Sequence, residues 1–443
     1  MNALGLNTPV LRAWATYDWA VSSMQTVITT SVFPIFFVNV AAANLGKEKG
    51  DEYWVWVNVA GALLVAILAP ILGAIADYRA AKKRFLLGFI LLGVTSTAAM
   101  FLIAHGQIIF ASVLLLLSLA GASGSMTFYE SLLPHIAKEE EMDRVSTAAY
   151  GLGYLGGGLL LSLNLAWIMR PALFGLPYGD DLSPSDETLG VRLAFLSVGI
   201  WWLLFSIPIL RRVPEPPRLI ETDETPNENP IRVAFTRLGE TIREMRSYKQ
   251  AFLLLVAFTI YNDGINTIVK MAAVYGNELG IGQSDLIIAI LLVQFIGVPC
   301  AFAFGALANV LGTKRSIFVG LAVYAGICIF AYGMTTTREF YILACLVGLV
   351  QGGTQALSRS LFANMIPKHK SGEFFGFYSI FEKFGGVLGL ALFGVVKSQT
   401  GSSRLAILVV IALFIIGGIV LAFVNVKEGM RVAREANDRV LAV

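Results

Sequence analysis

Charge is what this chain has least of. Only 14% of its 443 residues are Asp, Glu, Lys or Arg, and the formal net charge is +3. Soluble domains carry about 25% charged residues, so a wholly soluble fold is excluded. A near-neutral balance also excludes the basic footprint of a nucleic-acid-binding protein. Cysteine is scarce as well. Cys300, Cys328 and Cys345 are odd in number, lack a CxxC spacing and sit in apolar runs, which argues against a disulfide framework or a thiolate metal site. His105, His135 and His369, the three histidines, fall at helix ends or in loops and form no ligand cluster. No phosphate-cradling Gly-x-x-x-x-Gly-Lys-Ser/Thr string is present, so ATP is not the expected direct energy source. No cofactor, metal or catalytic constellation is expected, and the chain does not read as an enzyme. Nor is a cleavable leader expected: residues 1–11 are short and mildly polar, and the apolar run behind them is long enough to stay in a membrane.

What the chain does have is apolar length. It is 56% hydrophobic, and a membrane-crossing helix needs about 20 mostly apolar residues. Twelve such runs can be marked, near 12–41, 53–76, 85–104, 108–133, 145–168, 190–210, 250–275, 284–308, 316–335, 340–364, 373–397 and 403–425. A polar stretch with five prolines, 211–249, separates the sixth run from the seventh. The spacing predicts an all-α membrane protein: a six-helix bundle over 1–210, a linker over 211–249, a second six-helix bundle over 250–427 and a tail over 428–443. Within the linker, Ile231, Phe235, Leu238, Ile242 and Met245 recur at helical spacing, which predicts an amphipathic helix on the membrane surface between Pro230 and Tyr248.

The two halves repeat. Residues 73–84 read Gly-Ala-Ile-Ala-Asp-Tyr-Arg-Ala-Ala-Lys-Lys-Arg, and residues 305–315 read Gly-Ala-Leu-Ala-Asn-Val-Leu-Gly-Thr-Lys-Arg. Gly73 and Gly305 lie 232 residues apart, just over half the chain. A helix-end signature duplicated at that distance predicts two pseudo-symmetric bundles, the usual architecture of alternating access. Orientation follows from the loops: 23 Lys and Arg fall on the side of both termini and seven on the other, so both ends are expected in the cytoplasm.

Charge inside a span costs several kcal/mol unless it faces protein or water, so such residues mark function. Asp18 lies in the first run, Glu130 in the fourth, Asp263 and Lys270 in the seventh, Arg359 in the tenth, and Glu382 and Lys383 in the eleventh. The third, sixth, ninth and twelfth runs carry none in their interiors. Every third helix is therefore a lipid-facing wall, and the others enclose a polar cavity. Stripes at helical periodicity point into it: Asp18, Ser22, Gln25 and Thr29; Asp263, Asn266, Thr267 and Lys270; Gln351, Thr354, Gln355, Ser358 and Arg359; Ser123, Thr127 and Glu130. Asp18 is either a coupling carboxylate or an interfacial partner of Arg144 or another cation. Asp263 is either a proton-coupling or ammonium-holding group, or a permanent partner of Lys270 or Arg359. Matching depths predict a buried Arg359–Glu382 salt bridge whose rupture would present Arg359 to a substrate carboxylate. Tyr17, Trp19, Tyr150, Tyr154, Tyr261 and Tyr378 are candidate cavity walls, and the glycines of 151–158 are expected to permit close packing at a pivot.

These features resemble the major facilitator superfamily, whose loop motif between helices 2 and 3 is similar to 73–84. A narrower resemblance is to the vacuole effluxer family, the autophagy-related amino-acid exporters. It rests on Trp14-Ala-Thr-Tyr-Asp-Trp-Ala20 with Val32-Phe33-Pro34, on Tyr261-Asn-Asp-Gly264, on Gln351-Gly-Gly-Thr-Gln-Ala-Leu-Ser-Arg-Ser360 and on Phe374-Phe-Gly-Phe-Tyr378. The resemblance implies a secondary active transporter of a small polar solute, an amino acid for instance, and the intramembrane carboxylates point to coupling with protons. It also implies a cytoplasmic gate built from Gly73, Asp77, Arg79, Lys82, Lys83 and Arg84. The expected partners are a small-molecule substrate, a co-transported proton and the bilayer, with the chain acting as a monomer in a bacterial inner membrane. A sugar or drug-like amphiphile is the competing substrate class, and a non-transporting lipid-handling or sensor protein the competing function.

Overall fold

The computed structural model describes residues 5–179, 181–218, 233–236, 239, 247–385 and 388–441. Among them all regular structure is helical, in the order α1 (Pro9–Ser23), α2 (Lys47–Arg79), α3 (Lys82–Ala99), α4 (Ile108–Ser131), α5 (Met142–Met169), α6 (Leu189–Arg212), α7 (Lys249–Glu278), α8 (Gln283–Leu311), α9 (Thr313–Gly333), α10 (Thr337–Asn364), α11 (Ser371–Phe384), α12 (Leu388–Thr400), α13 (Ser403–Ala422) and α14 (Val426–Leu441). Local sequence accounts for several ends. Pro9 opens α1 behind the Thr8 side chain, which accepts from Leu11 N at 3.2 Å, and Thr336 with Glu339 forms a reciprocal capping box on α10.

Among the described residues ten helices are long and apolar enough to cross a membrane. Two runs that read as single spans are in fact broken. The first continues from α1 as a π-helical stretch, Met24–Ser31, then bends by 42° into 33–41. Pro34, which offers no amide N–H, stands just past that bend. The run near 373–397 is α11 and α12: Gly385 ends α11 with an extended ψ of 125°, and neither half is long enough to span alone. Counting the bent first pair once gives up to eleven spans among the described residues, to which the α11–α12 pair is additional.

The charge-free helices keep to their own bundles. α3 packs on α4 and α6, and α9 on α10 and α13. The bundles meet through the helices that carry Gly73 and Gly305: α2 crosses α11 and α5 crosses α8, with α4–α11 and α5–α10 contacts between them. Both ends of the described chain lie on one face, here called the terminus face. Gly5 abuts Arg144 at the start of α5. The tail is α14, folded back so that Asn437 Oδ1 accepts from Lys368 N at 2.8 Å and Arg434 pairs with Glu139 of the other bundle. The amphipathic helix expected between 230 and 248 lies largely outside the described residues; 233–236 are helical.

Candidate functional site

Arg359 of α10 is fully buried, and the N-terminal bundle surrounds it. Its Nη1 and Nη2 donate to Asp18 Oδ2 of α1 at 3.2 and 3.3 Å, its Nε to Ser146 Oγ of α5 at 3.0 Å, and Nη2 also to Ser146 O at 3.0 Å. Glu130 of α4 stands 3.8 Å from Nη1. Tyr129 donates to the same Asp18 oxygen at 2.8 Å. Three aromatic faces complete the cage, with the guanidinium 4.5 Å from the Tyr150 ring centre, 5.1 Å from Trp14 and 5.6 Å from Tyr129. A guanidinium suits this site because it is planar, weakly hydrated and able to stack while it donates. The pair ties α1 to α10 across the seam. Removing one partner of such a buried pair costs about 3–5 kcal/mol, because the other charge is left unpaired.

The expected Arg359–Glu382 bridge is absent. Glu382 sits about 16 Å along α11 from its start, whereas Arg359 is about 8 Å from the end of α10, so the depths differ by one and a half turns. Glu382 lies instead 3.8 Å from Lys383, and both side chains are part-exposed, at 36% and 27%. Asp263 also has a backbone partner on α12. It is buried, and its Oδ2 accepts from Gly389 N at 2.6 Å, which caps the first turn of α12. A Cβ on Gly389 would stand 2.2 Å from Thr267 Oγ1, so any larger residue here must displace that side chain.

Nearer the terminus face is a second charged contact. Asp77, at the end of α2, accepts from Gly372 N at 3.1 Å and Glu373 N at 2.9 Å in the first turn of α11, and pairs with Lys82 Nζ at 2.8 Å. Lys82 also donates to Ser371 Oγ at 2.6 Å. Gly73 makes the crossing possible, since a Cβ there would lie 2.2 Å from Gly372 O. Of the four expected gating cations only Lys82 enters this lock. Arg79 and Arg84 are exposed. Lys83 contributes its backbone N–H, which donates to Glu215 Oε2 at 2.8 Å; burial pushes the Glu215 carboxyl up, and hydrogen bonds from the Lys83 and Lys82 backbone oppose that rise.

Further polar bridges close the same face: Thr127 to Ser379 at 2.7 Å, Ser360 to Asp143 at 2.5 Å and Thr313 to Asp143 at 2.5 Å. Beyond the Arg359 cage the chemistry opens. Gln25 and Lys270 are exposed, and Asn266, Glu382 and Lys383 are part-exposed. The polar bridges and the Asp77–Lys82 pair shut the molecule at the terminus face. Tyr261 meets Ser358 at 2.5 Å, Gln355 donates to Asn262 at 3.2 Å, and Tyr378 stacks on Phe258 at 4.7 Å, so these three are engaged within the C-terminal bundle. Ser146 and Tyr129 fall on none of the charged stripes of the sequence, and Trp14 enters it only through the motif 14–20. Thr26, which accepts from Gln294 of α8 at 3.0 Å, was hidden by the π-helical register that begins at Met24.

Residues 7–434 match the family described as vacuole effluxer Atg22 like. The chain belongs to that family. YxiO, an uncharacterized MFS-type transporter of Bacillus subtilis (strain 168), is 36% identical over 427 residues, covering 96% of this chain and 97% of its own length. Autophagy-related protein 22 of Yarrowia lipolytica (strain CLIB 122 / E 150) is 29% identical over 304 residues, which is 61% of this chain and 48% of that protein. Among solved structures, the major facilitator superfamily proton:xylose symporter XylE bound to 6-bromo-6-deoxy-D-glucose aligns with a TM-score of 0.68 and 13% identity over 94% of this chain and 95% of that one. At that identity the likeness shows the fold alone, and the fold is that of the major facilitator superfamily. This Atg22-like protein is therefore a multi-pass membrane transporter of the major facilitator type, and not an enzyme.

Proposed function

We propose that this Atg22-like transporter moves a small zwitterion, an amino acid, by proton-coupled alternating access, with 1–210 and 250–427 as the rocking units. The observation that carries this reading is the Arg359 cage. One buried guanidinium from one bundle is held by two carboxylates from the other, and the contact must break before the terminus face opens. Protonation of Asp18 or Glu130 removes the negative charge that retains Arg359, and the freed fork accepts a substrate carboxylate in its place. The part-exposed Glu382, with Asn266 and Gln25, offers acceptors for the ammonium end. The Lys and Arg asymmetry of the loops supports cytoplasmic termini, so in this reading the shut face is the cytoplasmic one in a bacterial inner membrane. The chain works as a monomer in this reading, since all contacts of the cage come from one polypeptide.

The test is uptake and counterflow of a panel of amino acids by the purified protein in proteoliposomes. A pH gradient should drive net uptake of at least one of them. Asp18→Asn and Glu130→Gln should lose gradient-driven uptake more than counterflow, and Arg359→Lys should lose both. Gradient-independent transport in the wild type would overturn the coupling. Uptake of sugars with no response to amino acids would move the substrate to the alternative class, which the Gln355–Asn262 and Thr127–Ser379 pairs could serve.

A further inference from the structure

Arg84 belongs to the repeated motif, yet the lock does not use it. It opens α3, one of the two charge-free walls of the N-terminal bundle, beside the end of the other wall, α6. The two helices run antiparallel in close register. A Cβ on Gly199 would stand 2.9 Å from the Ala98 Cβ, and one on Gly93 would meet the Trp202 ring at 2.2 Å. Followed toward the terminus face, that register sets Arg211 opposite Arg84 and Arg212 opposite Lys83. The ends stay together there, since Glu215, just past Arg212, accepts from Lys83 N at 2.8 Å. Arg84, Arg211 and Arg212 are exposed. Asp77 and Glu215, the acids of this corner, are engaged by Lys82 and by the first turn of α3. Among the described residues no carboxylate pairs with any of the three arginines.

The faces beneath these cations are apolar and exposed. Leu87 and Leu91 share the Arg84 side of α3, and Leu204 and Ile207 share the Arg211 side of α6. Between them Gly88 leaves a notch, for a Cβ there meets nothing within 4 Å. Membrane anchoring by itself puts lone cations at helix ends. Two guanidiniums set opposite each other above an open apolar seam are more specific, because each planar fork can hold two phosphate oxygens. The C-terminal bundle lacks this arrangement. Its matching seam, α9 on α13, takes its register from Gly418 beside Phe318 and Leu321 and from Tyr324 stacked on Phe414. Arg315 is exposed there, but the exposed Phe423 stands opposite it, and Lys314 is turned into the end of α13.

We infer that the terminus-side end of the α3–α6 seam is a binding site for an anionic phospholipid of that leaflet: Arg84 and Arg211, reinforced by Arg212, grip the headgroup phosphate, and an acyl chain lies over Gly88. Basic pockets between membrane helices suit such headgroups, and the apolar seam below favours a lipid over a free anion. The site needs only the bilayer, and no particular substrate or coupling ion.

Native mass spectrometry tests this on the full chain, released from micelles doped equally with phosphatidylglycerol and phosphatidylcholine of the same acyl chains. The wild type should retain phosphatidylglycerol about tenfold in preference, and Arg84→Gln or Arg211→Gln should each weaken that retention about tenfold. Gly88→Trp keeps every charge but fills the notch, and should weaken it as well. Arg315→Gln removes one exposed cation at the equivalent place in the other bundle and should leave retention at the wild-type value. All four positions are exposed, so the fold tolerates the changes. Equal retention of the two lipids, or the same loss from Arg315→Gln as from Arg84→Gln, would overturn the site and leave only membrane anchoring. Displacement of the lipid by excess inorganic phosphate would overturn the lipid as its occupant.

Discussion

The two copies of the helix-end repeat share a backbone and differ in chemistry. Gly73 and Gly305 both sit at inter-bundle crossings, and the chain turns three residues after Asp77 and three after Asn309 in the left-handed region, at Ala80 (φ 48°) and Gly312 (φ 87°). From there the copies diverge. Asp77 and Lys82 reach across the seam to the start of α11. Asn309 is exposed, and Lys314 turns back within its own bundle, where it donates to Ala422 O and Val424 O at 2.8 Å each and caps the end of α13. The second crossing has a polar clasp of another kind. Its acid, Asp143, comes from the opposite side, on α5, and accepts hydroxyls from Thr313 and Ser360. Fold symmetry therefore did not carry the charge with it. One crossing is held by an ion pair and a helix N-terminus, and so responds to charge; the other is held by hydroxyls and close packing, which suits a pivot.

Substitutions made in both copies sharpen or break this contrast. The largest effect is expected at Asp77. Asp77→Asn leaves Lys82 buried beside a neutral amide and should cost about 3–5 kcal/mol of the closed state, read as a fall in detergent melting temperature. Asn309→Asp, on an exposed position, should stay within about 0.5 kcal/mol. The glycines come next. In Gly73→Ala the new Cβ meets the Gly372 carbonyl at 2.2 Å, and backbone cannot rotate aside; about 1–3 kcal/mol of overpacking is expected in the same melt. Gly305→Ala meets only Thr147 Oγ1, at 2.3 Å, the tip of a side chain, and should cost less. The smallest effect is at the turn. Ala80 is the described non-glycine residue with positive φ, so Ala80→Gly should relieve about 1 kcal/mol of strain and raise the melting temperature slightly. Equal responses from the two copies would erase the distinction.

Much of this was legible from residue placement. The duplicated glycine motif, the charge-free walls and the intramembrane positions of Asp18, Glu130 and Arg359 follow from apolar periodicity and the cost of charge in lipid. Pairing did not follow. Periodicity gives the face of a helix and its depth, but not which helix that face meets, so Arg359 was matched to Glu382 on depth when Asp18 and Glu130 hold it. The breaks were illegible for a different reason. Gly385 and Gly389 are as compatible with close packing as with a helix end, and nothing in Met24–Ser31 announces a π-helical register. Asp263 shows the consequence: to the sequence it is a coupling carboxylate or a partner of Lys270 or Arg359, and the structure adds the amide of Gly389, in a helix whose start the sequence does not mark.

The central claim is that, of the two repeated crossings, only the charged one gates the terminus face. Ser379 of α11 is 3% exposed and closes the seam through Thr127, so the Ser379→Cys variant, with the three native cysteines replaced, reports opening by its rate of alkylation with a membrane-impermeant maleimide. The account predicts slow alkylation in that parent and in its Asn309→Asp derivative, and a rate about tenfold or more higher in its Asp77→Asn derivative, a shift of about 1.4 kcal/mol in the opening equilibrium. Equal rates in the two derivatives would contradict it.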